Sequence, residues 1–387
     1  MSRNEVVLSL DVSAVPARPG GAGRFVVELA RELVGRDDAY VTLISRRDDG
    51  RRWSELAAGR AARVLPVVPP PRPLRLAYEQ ARLGPLLGRL GPPAVAVHHA
   101  PHYTMPARCA VPCVVTIHDL TLVEHPEWHE RSKVAFFGRA IRYAARHAAL
   151  MVCVSEATRQ SLVRHIAPRC PVAVVPHGVD LGHFSPDAPA GDVEKDEARL
   201  SAVGLRAGTP YLAYLGTLEP RKGVDLLVAA FDRLAASDPE IELVLAGAPG
   251  WHADAIDQAV GTARHRDRIR RLGYLEESAV PALLRRARAV VYPSREEGFG
   301  LPALEALACG ATVVTTSGSA MSKVTGEAAW LAPPGDAAGL AEVVAGALSA
   351  SGTERARRRE EGLAVAAAHS WAAAGEAYMA AYRSVAR

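Results

Sequence analysis

The sequence predicts an α/β protein of two doubly wound domains facing each other across a cleft. Three observations lead there. Short apolar runs alternate with helical patterns through the first ~175 residues, which is the pattern of a mostly parallel sheet covered on both faces. The alternation breaks over Pro176–Gly208, where Pro, Ala, Gly and charge replace clear apolar runs. It restarts at Tyr211 and continues almost to the end. At 387 residues the chain has the length of two domains, or three.

The elements follow in order. Strands are predicted at Glu5–Leu10, Tyr40–Ile44, Val95–His98, Cys113–Ile117, Leu150–Val154 and Val172–Val175. The helix predicted at Gly23–Val34 puts Phe25, Val26, Leu29, Ala30 and Leu33 on one face. Further helices are predicted near Leu74–Leu90, Ser132–Arg146 and Ser155–His165. Pro66–Pro73 reads as a Pro-rich loop, and Pro176–Gly208 as the domain crossing. The second domain has strands at Tyr211–Leu215, Ile241–Ala246, Ala289–Tyr292 and Ala311–Thr315, with a helix at Val224–Leu234 after the first of them. A helix over Trp371–Val385 closes the chain. The boundaries are thus 1–178 and 179–370, with 371–387 returning to the first domain. Open sheets of this type bind ligands at the carboxyl ends of their strands.

Composition excludes several classes. Hydrophobic residues make up 49% and charged residues 23%, which is globular rather than disordered or fibrous. Apolar runs never reach the ~18 residues of a membrane span. The run after Met1-Ser2-Arg3-Asn4-Glu5 is too short for a signal peptide, so a cytoplasmic location is expected. The net charge of +4, without a basic stripe interleaved with aromatics, does not point to nucleic acid. Arg-rich stretches at Arg72–Arg89 and Arg131–Arg146 leave peripheral contact with anionic lipid open, beside the plainer reading of solvated helix faces. Five cysteines without a C-x-x-C pair read as free thiols of a reducing compartment.

Four stretches can carry chemistry. In Tyr292-Pro-Ser-Arg-Glu-Glu-Gly-Phe-Gly-Leu-Pro-Ala-Leu-Glu305, a strand end leads through Gly298 and Gly300 into a helix beginning near Pro302. The start of that helix favours an anion. Glu297 and Glu305, seven residues apart, offer acceptor pairs that match vicinal diols. In Leu215-Gly-Thr-Leu-Glu-Pro-Arg-Lys-Gly223, Gly216 permits close backbone approach, and Arg221 and Lys222 suit a diphosphate. Lys222 is one of only four lysines. Pro19-Gly-Gly-Ala-Gly-Arg24 is a Gly-rich loop between the first strand and helix. His118 and Asp119 end a buried strand, where His118 can bind a hydroxyl or assist a proton transfer. Each stretch also has a plain structural reading, as a turn or a solvated face. Two of the four, however, follow strand ends of one presumed sheet. The His98-His99-Ala-Pro-His102 cluster is a poor metal site, because adjacent strand residues point to opposite faces.

At these residues the chain resembles the glycosyltransferase family 4 enzymes, retaining transferases of the GT-B fold. The stretch Glu297-Gly-Phe-Gly-Leu-Pro-x-Leu-Glu305 matches that family's Glu-x7-Glu pattern. Further matches run in the expected order: Gly20–Gly23, His118-Asp119, Val154-Ser155-Glu156, Pro176-His-Gly-Val-Asp180, Gly216–Gly223 and Gly273-Tyr-Leu275. Within the family the chain is most similar to bacterial mannosyl- and rhamnosyltransferases of cell-envelope or natural-product glycan pathways. The resemblance implies two Rossmann-like domains, the first for the acceptor and the second for the nucleotide-sugar. It implies catalytic roles for His118, Glu297, Arg221 and Lys222. Gly216, Thr217, Gly247, Gly273, Tyr274, Leu275, Gly300, Leu301 and Glu305 would complete the nucleotide site, with Glu305 on the ribose. Gly20, Gly21, Gly23, Asp119, Gly298 and Phe299 would meet donor sugar or acceptor. Two positions depart from the pattern. Thr217 stands where many relatives carry Arg, which leaves the diphosphate role divided between Arg221 and Lys222. His177 stands where Asn is usual.

The implied reaction moves a hexose, mannose first, from a nucleoside-diphosphate donor such as GDP-mannose to a hydroxyl. The acceptor is a glycan, lipid-linked or small molecule. Neither a cofactor nor a metal is expected, and no D-x-D motif is present. Alternatives are a non-catalytic nucleotide-sugar-binding partner, a sugar-nucleotide epimerase of the same fold, and an NAD-dependent oxidoreductase. The last is suggested by Gly21-Ala22-Gly23, but Val26 occupies its third glycine position. Oligomeric state is not legible.

Overall fold

The computed structural model describes residues 5–187, 192–206, 208–250 and 252–386. The first four residues, read above for a leader, and residues 188–191 and 207 of the crossing stretch lie outside these. The chain divides into two compact units, Met1–Gly178 with Trp371–Arg387, and Val179–Ser370.

The first unit carries seven strands: β1 (Val6–Asp11), β2 (Ala39–Arg46), β3 (Ala62–Val68), β4 (Val97–Ala100), β5 (Cys113–Ile117), β6 (Leu150–Cys153) and β7 (Val172–Val174). They form one sheet in the order β3-β2-β1-β4-β5-β6-β7, with every pair parallel. Parallel strands need covered faces. On one face Leu8, Leu10 and Val97 pack with Phe25, Leu29 and Leu33 of the Gly21–Val34 helix, and with Tyr378 and Tyr382 of the Trp371–Val385 helix. That closing helix is bolted to the sheet by polar contacts. Tyr382 Oη lies 2.8 Å from His99 Nδ1, and Tyr378 Oη 3.3 Å from Thr116 Oγ1. On the other face Val115, Ile117 and Met151 pack with Ile141 and Ala144 of the Arg131–His147 helix.

The second unit carries six: β8 (Tyr211–Leu215), β9 (Glu242–Ala246), β10 (Ile269–Gly273), β11 (Ala289–Tyr292), β12 (Val313–Thr316) and β13 (Trp330–Ala332). Their order is β10-β9-β8-β11-β12-β13, again all parallel. The strand order reverses between β8 and β11, so their carboxyl ends form the crevice where such sheets bind ligands.

The structure corrects several sequence expectations. Three strands were unforeseen, β3, β10 and β13, and all lie at sheet edges. Pro66, read as loop, is a residue of β3. An edge strand tolerates proline because one of its sides makes no ladder bonds. Arg270 and Arg271 disguise β10 in the same way, since an edge strand is half solvated. β4 starts two residues later than expected, although Ala96 N–H already donates to Val7 O at 2.8 Å. The first helix begins at Gly21, so Gly21 and Gly23 belong to its first turn and not to a loop. The helical stretch foreseen at Leu74–Leu90 runs from Arg72 to Leu87 and widens into a π-type turn at Glu79–Leu83. The crossing stretch contains the Asp192–Ala202 helix.

Candidate active site

The predicted residues of the second unit meet at the carboxyl ends of β8, β9, β10 and β11. Gly216, Gly247 and Gly273 end or follow three neighbouring strands, which backbone hydrogen bonds join at this edge. Gly216 N–H donates to Ala246 O at 2.9 Å, and Gly247 N–H to Gly273 O at 2.7 Å. A Cβ on Gly247 would stand 1.8 Å from Gly216 O, so bare backbone is required there. Thr217 continues this edge, its carbonyl accepting from the buried Tyr214 hydroxyl at 2.9 Å. Tyr274 and Leu275 follow β10, with Leu275 buried.

The basic loop after β8 folds into a single turn at Pro220–Lys222, closed by Gly223 at φ +68°. A Cβ on Gly223 would lie 2.0 Å from Pro293 O. This close approach sets the Arg221–Lys222 turn against the Pro293–Gly300 loop that follows β11. Arg295 fastens the same junction. Its backbone N–H donates to Arg221 O at 2.9 Å, and its guanidinium makes a two-pronged pair with Asp225 at 3.0 and 2.7 Å.

The two predicted cations have different partners. Lys222 Nζ bonds Glu297 Oε1, and Ser294 Oγ donates to the same oxygen at 2.9 Å. Arg221 Nε pairs with Glu219 Oε1 at 2.7 Å, and its Nη1 lies 3.9 Å from Glu297 Oε2. Burial pushes the Glu297 carboxyl up. The charges of Lys222 and Arg221, with hydrogen bonds from Lys222 and Ser294, outweigh it and hold the group below the ordinary glutamate value. Glu297 is therefore a carboxylate at neutral pH, set between two cations.

Gly298, Phe299 and Gly300 lead to the Leu301–Ala308 helix. Gly300 is its N-cap at φ +108° and brings no capping side chain. Its Cα faces Met321, which leaves a Cβ no room. Glu305 is buried in the first turns of this helix, with 3% exposed. The start of such a helix carries positive potential and favours an anion.

In the first unit, Gly20 is the N-cap of the Gly21–Val34 helix. A Cβ on Gly20 or Gly21 would meet nothing within 4 Å, whereas one on Gly23 would stand 2.9 Å from Pro19 Cβ. Phe25, half a turn on, places its ring 5.0 Å from His118, edge to face. His118 is buried at the end of β5, and its Nε2 lies 2.8 Å from Pro101 O, which can only accept. Burial lowers its pKa, so it is a neutral imidazole that donates from Nε2. Asp119 is turned to local work: its Oδ1 accepts from Thr121 N at 3.1 Å and Thr121 Oγ1 at 2.8 Å. His177 is a buried neighbour of Phe25, ring centroids 4.7 Å apart. His98 and His99 do point to opposite faces, His98 Nδ1 toward Ser9 Oγ at 2.8 Å and His99 Nε2 toward Thr116 Oγ1 at 2.8 Å.

Sequence reasoning missed Glu219, Ser294 and Arg295. Only the partners of Arg295, Arg221 and Asp225 among them, are far along the chain; Ser294 stands three residues before Glu297 and Glu219 two before Arg221, and that closeness was their signal. No group of His, Cys, Asp and Glu among the described residues has the makings of a metal site.

Known proteins resemble the chain over both of its units. Residues 196–363 match the family described as glycosyl transferases group 1, and residues 19–183 match glycosyltransferase family 4. O-antigen chain mannosyltransferase B of Escherichia coli is 31% identical over 278 residues, which are 71% of each chain. The serotype-specific mannosyltransferase WbdA of Escherichia coli is 28% identical over 240 residues. These are 59% of this chain and 28% of that much longer one. Among solved structures, HepE of Anabaena in complex with UDP and glucose superposes with a TM-score of 0.76. It covers 98% of this chain and 100% of that one at 19% identity, a likeness of fold.

Proposed function

The chain belongs to glycosyltransferase family 4, of the GT-B type, and from that premise we propose that it transfers a hexose with retention at the anomeric carbon. Mannose is the first candidate, carried by a nucleoside diphosphate such as GDP. The acceptor is a hydroxyl of a glycan, lipid-linked or small molecule. The observation that carries the reading is the Lys222–Glu297 bond, which joins the basic loop after β8 to the Glu-x7-Glu loop after β11. Two mannosyltransferases among the relatives support the choice of sugar.

The chemistry follows from the residues. The bond from the anomeric carbon to phosphate oxygen breaks, and its electron pair leaves on the diphosphate. Lys222, Arg221 and the start of the Leu301–Ala308 helix stabilise that growing charge. Glu297 holds Lys222 in place and accepts from donor-sugar hydroxyls. Glu305 accepts from the ribose, and the Gly216–Gly247–Gly273 edge lets the nucleotide lie against backbone. The acceptor oxygen bonds to the anomeric carbon from the face the diphosphate leaves, and its proton passes to the departing phosphate oxygen. Neutral His118 gives its one N–H to Pro101 O, so toward a substrate hydroxyl it accepts at Nδ1 and orients; it does not need to act as the base. Phosphate charge is met by fixed cations, so no metal is required.

A thermal-shift panel of GDP, UDP, ADP, dTDP and NADH in excess EDTA tests this. One diphosphate should raise the melting temperature, by about 3 kcal/mol of added stability at a hundredfold excess over its Kd. A shift that vanishes with EDTA would refute metal independence. A response to none of the diphosphates would refute the transfer mechanism and favour a binding partner without activity.

A further inference from the structure

A second cavity, wholly within the first unit, has a chemistry of its own. It measures about 170 Å³ and lies at the carboxyl ends of β1 and β4, roofed by the Arg72–Tyr78 helix. Its wall includes Asp11, Arg75, Glu79, His102, Tyr103 and Phe137. We propose that this cavity binds one uncharged polyol ring of the acceptor, with the Glu79 carboxyl and Asp11 reading its hydroxyls and Tyr103 flanking its apolar face. The proposal rests on the transferase reading above, in which the first unit takes the acceptor.

Four observations support it. Glu79 is 7% exposed, and its Oε1 has no hydrogen-bond partner among the described residues, a costly arrangement unless something uses it. Burial, with the neighbouring Asp11 charge, pushes the Glu79 carboxyl up to about 8. Near neutral pH it is largely an acid, with one O–H to give and an oxygen to receive, as a hydroxyl demands. Glu79 also opens the π-type turn at Glu79–Leu83, a helix irregularity of the kind found at functional sites. Tyr103 is held at φ +58°, an uncommon conformation for a bulky residue, with its ring edge-on to Phe137 at 5.8 Å.

The same residues argue against a phosphate. Arg75 Nη1 already donates to Ser13 O at 3.1 Å, and its charge faces Asp11 and Glu79. Asp11 accepts Ser13 N–H at 2.8 Å on one oxygen, and Glu79 leaves a carboxyl oxygen on the wall. An anion would meet these acceptor oxygens, while of the two arginines in the wall Arg75 is already engaged and Arg72 is exposed. The cavity is also one strand from the proposed transfer site: His118 donates to the carbonyl of Pro101, which lines it.

Saturation-transfer NMR on the full chain provides the test, with methyl α-mannopyranoside, methyl α-glucopyranoside and glucose 6-phosphate as probes. The expected result is binding of at least one neutral glycoside, more tightly than glucose 6-phosphate. Glu79→Leu, of similar volume, should weaken it about tenfold or more while the melting temperature holds or rises. A residue with a merely structural role would lower it. Glu79→Gln, which keeps donor and acceptor, should stay within about threefold of wild type. Leu76→Trp, at the half-buried rim, should block binding without touching the buried carboxyl. Unchanged binding in Glu79→Leu and Leu76→Trp, or preference for the phosphate, would overturn the proposal. So would no glycoside signal while GDP or UDP still shifts the melting temperature, which would spare the transferase reading. Absence of any nucleotide response would remove that reading and this proposal together.

Discussion

Lys222→Met removes one charge from the site and keeps the aliphatic stem. The lysine and Glu297 are only 15% and 10% exposed as side chains, so the substitution strands a nearly buried carboxylate. Breaking such a pair costs about 3–5 kcal/mol when nothing else compensates. Here Ser294 Oγ remains at 2.9 Å and Arg221 at 3.9 Å, so roughly half is the expected loss, about 1.5–2.5 kcal/mol. In a unit of this size that is a fall of about 3–10 °C in melting temperature. Transfer should fall by about 10²–10³-fold, because the cation proposed to meet the leaving group would act mainly in the transition state. The double variant Lys222→Met/Glu297→Gln separates the two effects. It removes the stranded charge and should regain most of the lost stability, yet none of the activity. Scanning calorimetry and initial rates with a sugar-nucleotide donor give both readings. A single variant as stable as wild type would refute the coupling. Recovery of activity in the double variant would refute the role of the cation.

Four further outcomes are expected. Glu305→Ala should weaken nucleotide binding about tenfold or more, read by titration calorimetry, since in the proposed reading this buried carboxyl group receives the ribose hydroxyls. His118→Ala should leave the nucleotide-induced thermal shift unchanged while transfer falls by about 10²-fold. Gly223→Ala should cost about 2–4 kcal/mol by denaturant unfolding, because a Cβ there combines positive φ with a 2.0 Å approach to Pro293 O. Glu79 predicts a pH dependence with a definite sign. Its folded pKa, about 8, is raised above the ordinary 4.5, so its contribution is fully present below about 4.5 and is lost as pH rises through about 8. The stability advantage of Glu79→Leu over wild type should therefore widen from pH 5 to pH 8, with about 5 kcal/mol as an upper bound. Asp11, Arg75 and His102 share the cavity, and His102 stays neutral throughout because burial pushes it down to about 3. A difference constant across that range would count against a buried neutral Glu79.

The central strands were legible from the sequence because each is a short apolar run, as burial on both faces demands. Cys113–Ile117, Tyr211–Leu215 and Ala289–Tyr292 are found with the predicted ends. The Glu297–Glu305 spacing and the Arg221-Lys222 pair were equally legible, since a loop and the helix it enters lie together in the chain. What the sequence left open depended on partners distant in it. Only the fold shows that Lys222 takes Glu297, 75 residues away, while Arg221 turns to Glu219. Only the fold reveals β3, β10 and β13 as strands, because an edge strand is defined by its neighbour and not by its own hydrophobicity. The same holds for Glu79. In the sequence it is one acid on an Arg-rich helix, and it becomes a buried carboxyl beside Asp11 only when that helix crosses the end of β1. Periodicity along a chain reports which face of an element is buried. Which polar groups are buried together, and what charge they then carry, is decided by packing between elements, where burial and neighbouring charges set each group's protonation.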